Sequence, residues 1–202
     1  TRRGRPSSHR AFEARHLAAG WSGSAARFGE SAAILLGDLA LIASERQVTA
    51  ALTDLGPERA SAVRRTFDQM RTEVTAGQYL DVLAQCVPWG LDTVADEERT
   101  REVVRAKSAR YSVEHPLTLG ACLAGADEAA LSRCRRIGLP LGEAFQLRDD
   151  LLGVFGDPQE TGKPAGDDLR EGKRTLLVVR ALRSSSPADA ATLTDGLGRA
   201  DL

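Results

Sequence analysis

Residues 127–155 read Asp-Glu-Ala-Ala-Leu-Ser-Arg-Cys-Arg-Arg-Ile-Gly-Leu-Pro-Leu-Gly-Glu-Ala-Phe-Gln-Leu-Arg-Asp-Asp-Leu-Leu-Gly-Val-Phe, and this stretch decides the fold. Asp127 is placed to cap a helix that continues to about Phe155. Pro140 is expected to kink that helix rather than end it, because the apolar pattern resumes at once. After Pro140, Gly142, Gln146, Asp149, Asp150 and Gly153 fall within one sector at ~100° per residue. Two carboxylates and an amide thus share a face with residues that have no side chain. Adjacent aspartates on a cramped face raise one another's pKa. A divalent cation removes that repulsion, and hard oxygen ligands suit Mg²⁺, which also shares its shell with phosphate and water. Taken alone, an ordinary solvated Asp-Asp pair accounts for the two carboxylates as well.

Working outward, the remaining punctuation is also helical. Phe28, Ala32, Leu35, Leu39 and Ile42 recur at spacings of four and three and predict a helix from Phe28 to Ser44. Gly56-Pro57 opens a long helix to about Gln85, with proline in its first turn. Pro88-Trp89-Gly90 reads as a turn, and Asp96, Glu97 and Glu98 complement the N-terminal dipole of a helix from Ala95 to Tyr111. Pro116 restarts an apolar segment to Leu123. Gly156 to Gly172 is a loop with glycines at 156, 162, 166 and 172, and a last helix is expected from Arg174 to Arg183, followed by a surface connection at Ser184–Pro187. Residues 1–10 read as a basic loop. No strand-like alternation persists, and no internal repeat occurs. The expected class is all-α, with long helices packed side by side.

Polar residues on apolar stripes mark the candidate site. Val63, Phe67, Met70 and Val74 share a face that continues onto Gly77, Gln78, Asp81 and Gln85. A carboxylate and two amides at the end of a core stripe are costly unless paired or coordinating, although a helix end emerging into water places them there too. Of the 27 basic residues only three are lysines: Lys107, Lys163 and Lys173. Lys107 follows Val103 by four and Val104 by three, at the edge of an apolar side, where snorkelling to solvent is the simpler account. Lys163 and Lys173 lie in the glycine-bearing loop, in Thr161-Gly-Lys163 and Gly172-Lys-Arg-Thr175. Glycines let backbone approach a phosphate, and lysines act on it as point charges. The spacing is not that of a P-loop. Joined with Asp149 and Asp150, the loop points to a magnesium–diphosphate pocket.

Composition limits the alternatives. The 202 residues fit one domain, 42% hydrophobic and 27% charged, with a net charge of −1 that draws the chain to neither nucleic acid nor anionic lipid. The apolar run from Ala32 to Leu36 is broken by Gly37 and Asp38, far short of the ~20 residues of a membrane span. The first residues, Thr-Arg-Arg-Gly-Arg-Pro, carry no apolar block of a signal peptide. Three cysteines without CxxC spacing form neither a disulfide framework nor a zinc site and fit a reducing cytoplasm.

Gly142 to Asp157, followed by Thr161-Gly-Lys163 and Gly166-Asp-Asp-Leu-Arg-Glu-Gly-Lys173, resembles the second aspartate-rich region of trans-isoprenyl diphosphate synthases, the polyprenyl synthetase family. Thr1-Arg-Arg-Gly-Arg-Pro-Ser-Ser-His9 resembles the segment that directly follows that family's first aspartate-rich motif. Gly37-Asp38, Gly77-Gln-Tyr-Leu-Asp81 and Lys107-Ser-Ala-Arg-Tyr-Ser-Val-Glu-His-Pro-Leu117 match further family landmarks in order. The arginine-rich style and the Asp-Asp-Leu-Leu-Gly variant are similar to actinobacterial short-chain (farnesyl or geranylgeranyl) synthases.

The resemblance implies an isoprenoid-synthase-type bundle of long helices around a central cavity, as one domain over 1–202, in a cytoplasmic homodimer. It implies Mg²⁺ as cofactor, with 1′-4 condensation of an allylic diphosphate and isopentenyl diphosphate. Arg2 then corresponds to the arginine on the allylic diphosphate and Arg3 to that on isopentenyl diphosphate. Asp149 and Asp150 are implied metal ligands, and Lys107, Lys163 and Lys173 bind diphosphate. Gln146 and Ser108 line the reacting carbon, Ser108 standing where threonine is commoner, and Gln78 and Asp81 lie near the allylic site. Lys107, Gln146, Asp149 and Asp150 form the expected catalytic set.

Two departures qualify the match. Gly153 stands where many members carry a third aspartate. The family's first aspartate-rich motif does not occur within the 202 residues, so helices before residue 1 and after 202 are expected to complete the fold. A non-catalytic regulatory subunit and a class I terpene cyclase are the alternatives. Intact Asp149-Asp150 and three lysines argue against the first, and the lack of an NxxxSxxxE pattern argues against the second.

Overall fold

The computed structural model describes residues 5–90, 92–162 and 164–199. Arg2, Arg3 and Lys163 therefore lie outside the described residues. The chain forms two compact units, residues 1–55 and 56–202, and there is no β-strand among the described residues.

The first unit holds α1 (Ser8–Ala18) and α2 (Ala25–Leu52). Helix α1 occupies a stretch expected partly as loop. It has no apolar stripe of its own, so packing rather than periodicity creates it. Its buried residue is His16, whose Nε2 lies 3.1 Å from the Ser22 carbonyl oxygen. The ring stands 5.8 Å from Trp21 and 5.3 Å from Phe28, and these two rings meet edge to face at 5.3 Å. Helix α2 is longer at both ends than its apolar pattern predicts. Ile34, Leu35, Leu36, Leu39, Leu41 and Ile42 are exposed along it, apolar over more than one face, as in a helix that is covered from several sides.

The second unit is built on α3 (Pro57–Cys86), α4 (Thr93–Val104), a π-helix (Arg105–Glu114), α5 (His115–Leu123) and α6 (Glu128–Phe155). Short helices α7 (Pro158–Thr161) and α8 (Asp167–Arg170) interrupt the glycine-bearing loop, before α9 (Leu176–Ser184) and α10 (Pro187–Gly196). Pro57 does open α3, and the Asp127 side chain accepts the Ala130 amide at 2.8 Å, capping α6. Helix α6 continues through Pro140 to Phe155. The core is carried by Val63, Phe67, Val104, Ala109, Cys122, Leu131, Leu176, Val178 and Val179.

The helix expected from Ala95 to Tyr111 changes character at Val104, where the π-helix begins. A π-turn holds more residues than an α-turn and commonly marks a functional segment. Its wider backbone is gripped from two sides. A Cβ on Gly77 of α3 would meet the Lys107 backbone nitrogen at 2.5 Å, and one on Gly142 of α6 would meet the Ala109 carbonyl oxygen at 2.5 Å. Both glycines are there because backbone occupies the side-chain space. Helix α10 extends beyond the expected surface connection: Pro187 is its first residue and Ser186 caps it by accepting the Asp189 amide. No helix among the described residues is long and apolar enough to cross a membrane.

Candidate diphosphate site

The second unit encloses a cavity of about 160 Å³. Its wall takes Asp81 and Gln85 from α3, Thr100 from α4, Lys107 and Ser108 from the π-helix, and Gln146, Asp149 and Asp150 from α6. Asp168, Lys173, Arg174 and Thr175 come from the segment before α9. Eight of the residues singled out in the sequence therefore meet here: Asp81, Gln85, Lys107, Ser108, Gln146, Asp149, Asp150 and Lys173. Gln78 does not join them. It is exposed and off the cavity wall. The reason is helical: Gly77 carries the face of α3 that touches the π-helix, Asp81 lies one turn on, and Gln78 is ~100° round.

Both lysines of the described site have an anionic neighbour. Lys107 Nζ donates to Asp81 Oδ2 at 2.6 Å, joining the π-helix to α3. Lys173 Nζ donates to Asp168 Oδ1 at 2.6 Å and stands 2.7 Å from Glu171 Oε2. Burial pushes the Lys173 ammonium toward losing its proton, but the bonds to Asp168 and Glu171 outweigh this and raise its pKa well above the ordinary lysine value. Lys173 is held at its base as well. Leu176, Val178 and Val179 of α9 are core residues, and Arg174 donates to the carbonyl oxygens of Ala84, Val87 and Gln85 at the end of α3. The Arg174 guanidinium also lies 5.0 Å from the Trp89 ring centroid. It satisfies carbonyls that have no partner within their own helix.

The acidic side is less balanced. Asp150 is buried, and Gln146 Nε2 donates to its Oδ1 at 2.8 Å. Burial raises its pKa, the Gln146 bond opposes the rise, and the negative charges of Asp168 and Asp149 add to it. Among the described residues no cluster of three or more His, Cys, Asp or Glu side chains is arranged as a closed metal cage. Mg²⁺ needs only one or two carboxylates from protein, completing its octahedron with water and substrate phosphate. Asp149 and Asp150 both line the cavity and are the carboxylates that could hold such an ion, and positive charge placed there would offset the rise in the Asp150 pKa.

Asp168, Arg174, Thr175 and Thr100 were not among the residues expected at the site. Asp168 carried a usable signal, five residues before Lys173 and between two glycines. Arg174 is matched to its partners only by the tertiary fold.

A family model described as polyprenyl synthetase matches residues 1–201. A crystal structure of geranylgeranyl pyrophosphate synthase from Corynebacterium glutamicum, complexed with isoprenyl diphosphate and magnesium, superposes with a TM-score of 0.86 at 44% identity. That match covers 98% of this chain and 54% of the other. Geranylgeranyl diphosphate synthase of Mycobacterium tuberculosis is 37% identical over 190 residues, 93% of this chain and 47% of that protein. Geranylfarnesyl diphosphate synthase of Aeropyrum pernix is 36% identical over 160 residues, 78% of this chain and 48% of that protein. The chain spans about half the length of these curated relatives. With a family match that runs through almost all of its residues and helices that superpose on those of a solved synthase, the chain belongs to the polyprenyl synthetase family.

Proposed function

We propose that this chain carries the metal–diphosphate half of a magnesium-dependent prenyl elongase, which joins an allylic diphosphate to isopentenyl diphosphate and yields a short-chain product such as farnesyl or geranylgeranyl diphosphate. The observation that carries the proposal is the convergence of Asp149, Asp150, Lys107 and Lys173 from three separate segments on one cavity. It is supported by the likeness to a synthase solved with isoprenyl diphosphate and magnesium.

In this mechanism the allylic C–O bond breaks, and diphosphate departs with the electron pair. The double bond of isopentenyl diphosphate then attacks the allylic cation at C1, and a proton is lost to give the longer allylic diphosphate. Asp149 and Asp150 would hold Mg²⁺, which supplies charge to offset the leaving diphosphate. Lys107 and Lys173 direct ammonium groups at the same oxygens, already oriented by Asp81 and Asp168, so little reorganisation is needed as charge develops. Ser108, which is buried, and Gln146 line the same cavity as the lysines and the apolar Val103 and Val104. There they present polar edges to the reacting carbon while water is kept out.

Arg2, Arg3 and Lys163 keep the substrate roles that the resemblance gives them, whereas Gln78, off the wall of this cavity, would meet substrate only outside it. The same resemblance supports a single isoprenoid synthase domain and a homodimer, and the uncovered apolar faces of α2 fit a partner surface. The free thiols of Cys86, Cys122 and Cys134 fit a cytoplasmic setting.

The test incubates the protein with Mg²⁺, an allylic diphosphate and isopentenyl diphosphate, then sizes the product. One longer allylic diphosphate, formed only when Mg²⁺ is present, is expected. Free prenyl alcohol or a cyclic hydrocarbon instead would overturn the elongase assignment.

A further inference from the structure

We propose that Gly153 is a positioning residue: the side chain it lacks leaves a notch in α6 that receives the Asp168 carboxylate, and this docking places Lys173 on the cavity wall. The inference rests on the proposed function for its consequence, though not for its geometry.

A Cβ at position 153 would stand 2.0 Å from Asp168 Oδ2 and 2.6 Å from its Cγ. No side chain fits without displacing that carboxylate. Asp168 has little freedom to step aside. It is 7% exposed, and its other oxygen accepts from Lys173 Nζ. Swinging it out would give up that bond. Backbone bonds fasten the same place. The Gly153 carbonyl lies in the last turn of α6, where it has no partner within the helix, and it accepts from the Gly166 amide at 3.1 Å. The Asp168 carbonyl accepts from the Lys173 amide at 3.0 Å. One polar link therefore fastens Gly166 to α6, and two parallel links join Asp168 to Lys173.

This changes the meaning of the glycine. Where the family pattern has a third aspartate on the helix, this chain has an open position filled by a carboxylate from the following loop. Asp168 lines the same cavity as Asp149 and Asp150, so the acidic wall has two members from α6 and one from the loop. Restoring an aspartate at 153 would compete with Asp168 for one volume rather than complete a motif.

The experiment compares Gly153→Ala, Gly153→Asp, Asp168→Ala and the double variant Gly153→Ala/Asp168→Ala. Gly120→Ala, at a helical glycine with open space around it, serves as control. Amide hydrogen exchange is followed at Gly166 and Lys173, and inorganic pyrophosphate binding is titrated in the presence of Mg²⁺. Alanine favours helix over glycine, so Gly153→Ala would be harmless if nothing occupied the notch. We expect Gly153→Ala and Gly153→Asp to speed exchange at both amides and weaken pyrophosphate binding, each by at least about tenfold, with Gly120→Ala changing neither. On the Asp168→Ala background the notch is empty, so adding Gly153→Ala should change nothing further. Additive effects there, unchanged exchange in the single glycine variants, or tighter pyrophosphate binding by Gly153→Asp would overturn the inference. If Gly153→Ala does not fold, recovery of folding in the double variant supports the notch and its failure overturns it. If the protein with native Gly153 binds no pyrophosphate, the proposed function fails, and exchange at the two amides alone decides the notch.

Discussion

Nζ of Lys107 stands 2.6 Å from Oδ2 of Asp81, a contact that ties the π-helix to α3 at the cavity wall. Both side chains keep about a quarter of their surface, and a pair so wet contributes only about 0–1 kcal/mol to stability. Its value lies in aim. Lys107→Ala should cut turnover by about a hundredfold or more while the thermal midpoint hardly moves. Lys107→Arg should not restore it, because a planar fork cannot replace a compact ammonium facing one carboxylate oxygen. Steady-state kinetics beside thermal denaturation would separate the two effects, and an equal loss in both would refute this role.

Burial makes ionisation of Asp150 costly, and a cation beside it would offset that cost. Its pKa is raised by burial, with Asp168 and Asp149 adding to the rise. A carboxyl whose folded-state pKa is raised destabilises the fold once the pH is high enough to ionise it. At neutral pH in EDTA, Asp150→Asn should therefore unfold at a higher temperature than the parent. Added Mg²⁺ should stabilise the parent by mass action and leave the variant nearly unmoved. Scanning calorimetry with and without the metal reads both signs.

Glu73 predicts the acid limb of stability. Burial pushes its carboxyl up, but hydrogen bonds from Gln69 and His115 and the charge of Arg110 prevail and hold its pKa below the ordinary value of 4.5. The His115 ring, itself buried, lies 2.9 Å away. A lowered pKa gives stability that is complete above pH 4.5 and disappears as acid titrates the folded carboxyl. Glu73→Gln should flatten the fall of urea midpoint below pH 4.5 and lower the plateau at neutral pH. A variant with the parent's acid limb would contradict the assignment.

Arg174 donates to three carbonyls at the end of α3. Lysine can carry the charge but cannot span that arc. Arg174→Lys should lower unfolding free energy by about 1–2 kcal/mol, measured by urea denaturation. It should also weaken pyrophosphate binding, since the next residue back is Lys173.

The long helices are legible because their signals are local. Pro57 and Asp127 mark starts, and the polar sector from Gly142 to Asp150 shows which face of α6 meets the cavity. Helices α1 and α10 are not legible by periodicity, since neither carries an apolar stripe and their hydrogen-bonded turns depend on what they pack against. The π-helix leaves no compositional trace, because one extra residue in a turn alters hydrogen-bond partners without altering residue type. Lys107 and Asp81 could each be singled out, but their meeting depends on Gly77 admitting backbone. The burial of Asp168 is not legible in the sequence, because a loop carboxylate ordinarily faces water, and only the gap above Gly153 shows why this one does not.

The wide turn from Arg105 to Glu114 has a genetic corollary. Its register against Gly77 and Gly142 is set residue by residue, so removing a single codon there would rotate Lys107 off the wall while sparing most of the helical content. Such a deletion should yield a folded but inert protein, whereas lengthening the surface link at Ser184–Ser186 should be borne with little harm.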